Sequence, residues 1–244
     1  MVRKIWLMSL IILPLFLTAA DDRPRVREYL KTGDWYPADR DGLNRLLDSL
    51  FQNVPPPKVS GPVRGIIAPH AGLVYSGKCS ARAYAALKST EGVRRIILLG
   101  VSHRGGFYGA CVADFDFFAT PLGRIAVDGE TVRALSRKKH FRMNRDIMQY
   151  EHSLENQLPF IQRMLGNDGY QIVPVLFGTL QKNDFRPVAE AIRPFIDEST
   201  IVIASTDLTH YGAGFNYTPF TSDIENNLTR LDRGLIDRIL ANGV

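Results

Sequence analysis

The hydrophobic positions of the chain follow two patterns, one typical of helices and one typical of strands. Leu43 and Leu47 begin a run at helical spacing that predicts a helix over residues 42–54, with Asp39 or Asp41 as its cap. Further helices are predicted over residues 78–87, 129–139, 153–165, 184–195 and 223–240. Short apolar runs typical of buried strands cover residues 63–68, 95–99, 108–118, 124–127, 170–177 and 200–205.

The order of these segments indicates the fold class. Strands and helices alternate along most of the chain, which predicts an α/β domain with a mixed, largely parallel central sheet flanked by helices. The tight turn at residues 121–123 lies between two predicted strands and indicates an antiparallel portion. Ser76 is the expected cap of the helix over residues 78–87.

The first twenty residues differ in pattern from the rest of the chain. Arg3 and Lys4 precede an apolar run from Ile5 to Leu17, and small residues follow it. This order is typical of a secretory signal peptide over residues 1–20, and the run is shorter than the ~20 residues that span a bilayer. We therefore expect an exported protein, periplasmic or extracellular, whose mature domain covers residues 21–244 without a transmembrane helix. An N-terminal membrane anchor is the alternative.

The composition is that of a globular protein, and its charge does not indicate a nucleic-acid partner. The 244 residues are 45% hydrophobic and 23% charged, with a formal net charge of +5. The basic residues are dispersed, and the densest cluster, at residues 137–139, is typical of a solvated helix end. We therefore expect no nucleic-acid partner.

The two cysteines, Cys79 and Cys111, do not form a metal-binding pair motif. Both are interpreted as small core residues, because free cysteine is among the most buried residue types. Export would permit a disulfide, and the sequence leaves open whether the two side chains meet.

Three histidines follow three predicted strands. His70, His103 and His210 come after the strands at residues 63–68, 95–99 and 200–205. The carboxyl ends of strands form the ligand crevice of open α/β sheets, so these side chains are expected to converge there. Imidazole is the commonest metal ligand in proteins, which makes the crevice a candidate metal site. The alternative is that each histidine is a hydrogen-bonded loop residue.

Other polar residues accompany these histidines. Asp207 lies three residues before His210, and a carboxylate completes many histidine-rich metal sites. His152 and Glu155 are three residues apart at the start of a predicted helix, so they are expected to share one face. His140 belongs to no such pattern and is interpreted as a surface residue.

Ordered motifs across the chain resemble the Memo family, whose fold is similar to that of the class III, LigB-type extradiol dioxygenases. The residues that carry the resemblance are APHAG at 68–72, LGVSH at 99–103, EHSLE at 151–155 and STDLTHYG at 205–212. Shorter matches lie at residues 120–123, 158–159 and 172–176, and residues 27–28 and 33–37 resemble the entry segment of the family.

The resemblance implies a metal site formed by His70, His103 and His210, with Asp207 beside them and His152 nearby. Iron(II) or copper is the expected metal. The first hypothesis is a metal-dependent oxidoreductase in which His210 or Asp207 completes the ligand set and His152 is the acid/base. A non-enzymatic protein that binds iron or copper, or a partner peptide, in the same cleft is the second. The expected occupant of the cleft is a small molecule or a peptide.

The sequence departs from the family pattern in two respects. The family usually carries a cysteine beyond the last helix, and this chain has no such residue before Val244. We expect either that the natural chain continues or that its site lacks that ligand. The apparent signal peptide is the second departure, because a radical-SAM partner protein, as in microbial relatives, is expected only for an intracellular protein. A hydrolase using Ser102 or Ser205 is the weakest hypothesis, since no Gly-x-Ser-x-Gly motif is present.

Overall fold

The computed structural model describes residues 23–55, 58–87 and 90–241. The predicted signal peptide at residues 1–20 lies outside them. Within these ranges the strands are β1 (Val26–Arg27), β2 (Gly65–Ala68), β3 (Arg95–Val101), β4 (Ala110–Val112), β5 (Phe117–Thr120), β6 (Gly123–Ala126), β7 (Phe141–Met143), β8 (Gln171–Phe177) and β9 (Thr200–Ser205). The α-helices are α1 (Arg40–Phe51), α2 (Leu73–Tyr84), α3 (Gly129–Ser136), α4 (Arg145–Gln149), α5 (Leu158–Leu165), α6 (Phe185–Ile192) and α7 (Ile224–Ala241).

A six-stranded sheet in the order β2-β9-β3-β8-β4-β7 forms the centre of the fold. The pairs from β2 through β9 and β3 to β8 are parallel, while β4 runs antiparallel to β8. The predicted mixed, largely parallel sheet flanked by helices is therefore confirmed. Because β2, β9 and β3 are parallel neighbours, the loops that carry the three predicted histidines leave the same edge of the sheet.

The segment predicted as one strand over residues 108–118 is divided between two sheets. It forms β4 in the central sheet and β5 in a small sheet of order β1-β5-β6, whose β5–β6 hairpin is the expected antiparallel portion. Asp114 and Asp116 lie between the two strands, and both carboxylates pair with Arg25. These exposed ion pairs mark the point at which the chain leaves one sheet, so the single-strand prediction was wrong.

The starts of α1 and α2 are among the helix ends that differ from the prediction. Asp39 caps α1 by accepting from the backbone N–H of Gly42 at 2.7 Å, so this helix begins two residues early. Ser76 is not the cap of α2. Its hydroxyl donates to the carbonyl of Ala71 at 2.9 Å from inside the helix, which begins at Leu73 after Gly72.

The core lies between the central sheet and the helices that cover it. Leu43, Leu47 and Leu50 of α1 are buried, and α1 packs on α2 and α5. Cys111 is buried in β4 as predicted, whereas Cys79 is exposed, and both thiols are free. His140 is not a surface side chain as expected. Its imidazole is only 10% exposed and lies 3.7 Å from Asp184.

Helix α7 closes the described part of the chain and has no buried residue. Its Asp232 accepts hydrogen bonds from the backbone and hydroxyl of Thr209, which ties the helix to the loop after β9. Across residues 23–55, 58–87 and 90–241, none of the helices has both the length and the apolar character that a membrane crossing requires.

Candidate metal centre

His70 follows β2 directly and is held by the loop after the neighbouring strand β9. Its side chain is only 2% exposed, and its backbone N–H donates to the Asp207 carboxylate at 2.6 Å. The Nδ1 atom lies 3.2 Å from the Ser205 hydroxyl, which itself donates to the carbonyl of Ser153. Because that hydroxyl proton is already used, Nδ1 is the donor to Ser205 and the Nε2 lone pair remains free. Burial lowers the pKa of His70, so the neutral imidazole is favoured.

His103 follows β3 and is bound twice by Glu151. One carboxylate oxygen accepts from the backbone N–H of His103 at 2.7 Å, and the other lies 2.9 Å from Nδ1. Burial opposes ionisation of Glu151, but hydrogen bonds from His103 and Ser153 outweigh it and hold the pKa of this carboxyl at about 2. The hydrogen bond raises the pKa of His103 in return. An ionised carboxylate only accepts, so Nδ1 donates, and Nε2 is the nitrogen that the neutral imidazole offers to a ligand.

His152 follows Glu151 and completes the cluster. Its backbone N–H donates to Glu151 at 2.8 Å, and its ring stacks on that of His103 with centroids 4.3 Å apart. The edge of Trp35 packs against the same imidazole at a centroid distance of 4.5 Å. Burial lowers the pKa of His152 to about 4, so this imidazole is neutral at pH 7.

The imidazoles of His70, His103 and His152 form the group that fits a metal ion. Each offers one nitrogen, and these three atoms lie within 4.8 Å of one another. Two nitrogens that share an ion at about 2.1 Å stand at most about 4.2 Å apart, so small ring shifts would close the set. Imidazole nitrogens suit iron, copper or zinc as ligands.

His210 lies outside this three-histidine group. Its side chain is 47% exposed, its ring packs on Phe215, and its Nε2 lies 3.4 Å from the Asp207 carboxylate. The same oxygen of Asp207 is 3.8 Å from Nε2 of His70. The predicted ligand His210 therefore lies next to the cluster, with Asp207 between it and His70. The predicted acid/base His152 is a member of the cluster.

The segment at residues 151–157 supports all of these loops. The side-chain amide of Asn156 donates to the carbonyl of His70 at 2.6 Å, and that of Gln157 donates to Pro69 and Ser205. Sequence reasoning assigned no role to Glu151, Asn156 or Gln157. The available signal was a run of polar residues immediately before an apolar helix, which is costly to bury unless each member is hydrogen-bonded.

Glu155 was expected to share a face with His152, but it points toward the N-terminal segment. It forms a fully buried ion pair with Arg27 and accepts from Tyr36, whose pKa is raised by burial and by this carboxylate. The backbone N–H groups of Leu30 and Lys31 donate to it at 2.8 Å. Glu155 thus fixes residues 27–36, which we term the entry strap, beside the cluster, where Trp35 packs on His152.

The fold and this cluster define a class of protein, an α/β protein with a histidine-lined cleft at the carboxyl ends of parallel strands. The family model described as Memo-like protein matches residues 27–243. The chain therefore belongs to the Memo family. Membership agrees with the LigB-like fold class that the sequence motifs imply.

Curated relatives are similar to this chain over most of its length. A memo-1 homolog of Caenorhabditis elegans is 32% identical over 82% of this chain and 58% of its own length. A MEMO1 protein of Danio rerio is 31% identical over 87% of this chain and 74% of its own. A MEMO1 family protein of Methanopyrus kandleri is 34% identical over 86% and 74%, respectively. The match with the nematode relative spans less than two thirds of that protein.

Proposed function

We propose that this protein binds iron(II) or copper through His70, His103 and His152 and is a metal-dependent oxidoreductase related to the extradiol dioxygenases. The observation that carries the proposal is the mutual distance of the three imidazole nitrogens, all within 4.8 Å. An ion held by these three residues would supply Lewis-acid and redox chemistry toward a substrate and dioxygen.

The residues around the cluster support this role. Glu151 and Ser205 accept from Nδ1 of His103 and His70, which leaves the Nε2 atoms as the ligand atoms. Asp207 and the half-exposed His210 stand beside the cluster at 3.4 Å from each other. We assign them to proton transfer between the cleft and solvent, because an exposed imidazole beside a carboxylate can exchange protons with water.

Metal content of anaerobically purified protein tests the ligand set. We expect one equivalent of iron or copper in the wild type and its loss in His70→Ala, His103→Ala and His152→Ala. His140→Ala is the matched control, since His140 pairs with Asp184 outside the cluster. Retention of metal in His210→Ala is expected. Loss in His210→Ala with retention in His152→Ala would instead support the ligand set that the sequence motifs imply.

A non-enzymatic protein that uses the same cleft is the second candidate. The observation in its favour is that the His103 side chain is 37% exposed, so the cleft is open enough for a peptide or partner loop. Oxygen uptake by metal-loaded protein with a panel of catechols separates the two candidates. Uptake that disappears in His103→Ala supports the enzyme, and metal without uptake supports the binding protein. A freshly reduced preparation without metal would overturn the metal proposal.

Export is proposed from the N-terminal residues. Arg3, Lys4 and the apolar run that follows them predict that residues 1–20 direct secretion. Expression with a C-terminal tag, followed by N-terminal sequencing of the exported fraction, is expected to find the cleavage close to residue 20. A tagged chain that stays in the cytoplasm with residues 1–20 attached would overturn export and restore an intracellular radical-SAM partner as a hypothesis.

A further inference from the structure

Exposed cationic residues from two separate segments of the chain lie close to one another. Arg137, Lys138 and Lys139 occupy the turn between α3 and β7, and Arg142 follows in β7. Lys182 joins them from the loop between β8 and α6. We term these five residues the basic surface.

Tyr108 and Asp184 connect the two segments. The Tyr108 hydroxyl donates to the carboxylate of Asp184, which comes two residues after Lys182. The guanidinium of Arg142 donates to the backbone carbonyl of Tyr108 at 2.9 Å. His140 belongs to the same turn as the first three cations, and its Nδ1 lies 3.7 Å from the Asp184 carboxylate. These contacts hold the turn before β7 and the loop after β8 side by side.

The basic surface carries more positive charge than its surroundings neutralise. In the part of the chain that the structure describes, none of its five side chains has a carboxylate oxygen within 4.0 Å. Asp184 is buried, and its carboxylate already accepts from Tyr108 and from the backbone N–H of Gln181. The hydrogen bond from Tyr108 and, to a smaller extent, the charge of Lys139 lower the pKa of Asp184. Five cations therefore surround one hydrogen-bonded carboxylate, and such an excess attracts an anionic partner.

Exposed aromatic side chains accompany these cations. Phe185 follows Asp184 at the start of α6 and is 59% exposed, and Tyr108 is 44% exposed. A phenyl ring in water gains free energy when a partner removes its surface from solvent. Lys and Arg side chains beside exposed aromatic residues are typical of surfaces that bind the headgroup region of a bilayer.

We propose that the basic surface, together with Phe185 and Tyr108, binds the surface of a membrane that contains anionic phospholipids. The cations would contact lipid phosphates, and Phe185 would enter the boundary between headgroups and acyl chains. A soluble polyanion would pair with the same cations but offers no acyl layer to a phenyl ring, so the exposure of Phe185 favours the bilayer. The assignment is independent of the metal proposal, because none of these residues belongs to the three-histidine group.

Co-sedimentation with vesicles tests this assignment. Full-length protein is mixed with vesicles of phosphatidylcholine alone or of equal parts phosphatidylcholine and phosphatidylglycerol. The test variant is Lys139→Gln/Lys182→Gln. Lys78→Gln/Arg82→Gln is the matched control, because it removes two exposed cations from α2 and gives the same net charge. Every protein contains the same N-terminal residues, so any contribution from them cancels in the comparison.

Phe185→Ser tests the apolar part of the surface. Each protein is also titrated with a single-stranded oligonucleotide, which represents a soluble polyanion without an acyl layer. Circular dichroism and metal content are measured on every variant, and both should match the wild type because the substituted side chains are exposed.

We expect the test variant to bind the anionic vesicles about 30-fold more weakly than the wild type, about fivefold for each cation removed. The control variant should bind them like the wild type. Phe185→Ser should weaken the binding about tenfold, and added salt should weaken it for the wild type.

Two results would overturn the assignment. One is equal binding of the wild type to both kinds of vesicle, or an equal loss in the test and control variants. The other is tighter binding of the oligonucleotide than of the anionic vesicles, with no effect of Phe185→Ser on either. That second result would identify a site for soluble polyanions instead of a bilayer.

Discussion

The carboxylate of Glu151 accepts two hydrogen bonds from His103, one from its backbone N–H at 2.7 Å and one from its Nδ1 at 2.9 Å. The same carboxylate accepts from the backbone of His152 and Ser153 at 2.8 and 2.9 Å. One buried acidic residue therefore sets the tautomer of one imidazole and the position of another. Such partners of metal-binding histidines usually matter nearly as much as the ligands themselves.

Glu151→Gln is expected to weaken metal binding by about 10- to 100-fold without removing a proposed ligand. An amide can accept through one oxygen only, so either the backbone N–H or Nδ1 of His103 loses its acceptor. Competition with a chelator of known affinity measures the effect. Glu130→Gln, an exposed substitution in α3, is the control and should bind metal like the wild type. Equal affinity in Glu151→Gln would show that this carboxylate does not orient the cluster.

The buried pair between Arg27 and Glu155 is expected to determine the stability of the entry strap. Arg27→Met would leave the Glu155 charge buried without its cation, which typically costs about 3–5 kcal/mol of unfolding free energy. Urea denaturation followed by circular dichroism measures the loss. Arg186→Met is the matched control, because the Arg186 side chain is 88% exposed and its pair with Glu190 should contribute less than about 0.5 kcal/mol. A loss below about 1 kcal/mol for Arg27→Met would contradict this account of the strap.

Much of the fold could be predicted from the sequence, because buried helices and strands place hydrophobic residues at regular spacings along the chain. The strand predicted over residues 200–205 has the bounds of β9. Strand β8 differs from its prediction by one residue at its start, and α7 differs by one residue at each end. The error over residues 108–118 has a different cause. A continuous apolar run does not record where the chain changes sheets, and the ion pairs of Arg25 that mark this point join residues about ninety positions apart.

The candidate site was predictable only in part, because its contacts join residues that are distant along the chain. That His70 and His103 follow parallel strands could be read along the chain, and β2, β9 and β3 do lie side by side. The partner of each imidazole could not be read in this way. Glu151 is 48 positions from His103 along the chain, and the two side chains are hydrogen-bonded. The loop before α5 directs His152 toward the cluster, whereas His210 contacts Asp207. Side-chain direction after a loop depends on tertiary contacts that a spacing rule does not include.

The two thiols are expected to differ sharply in reactivity. Cys79 is exposed on α2, whereas Cys111 is buried in β4 and burial raises its pKa to about 11. Since the thiolate is the reactive form, only Cys79 should react with a thiol reagent at pH 8 in the folded protein, and both should react in urea. Cys79→Ser should therefore abolish labelling of the native state. Two reactive thiols in the folded protein would show that β4 opens.

Gly100 in β3 is expected to be essential for the packing of the segment that carries His152. A Cβ atom at this position would lie 2.6 Å from both the Ser153 hydroxyl and a methyl group of Leu154, closer than such atoms can approach. The Ser153 hydroxyl also donates to the carbonyl of Val101 at 2.8 Å. A shift of Ser153 and Leu154 away from Gly100 would therefore break that hydrogen bond.

Gly100→Ala should therefore lower the free energy of unfolding by about 1–3 kcal/mol, the usual cost of overpacking, and should also weaken metal binding as His152 is displaced. Denaturant titration and chelator competition on one preparation measure the two effects together. Gly106→Ala provides the comparison, because a Cβ there meets no atom within 4 Å and should cost neither stability nor metal. If Gly100→Ala lost stability but kept full metal affinity, His152 would not depend on this contact and its place among the ligands would have to be reconsidered.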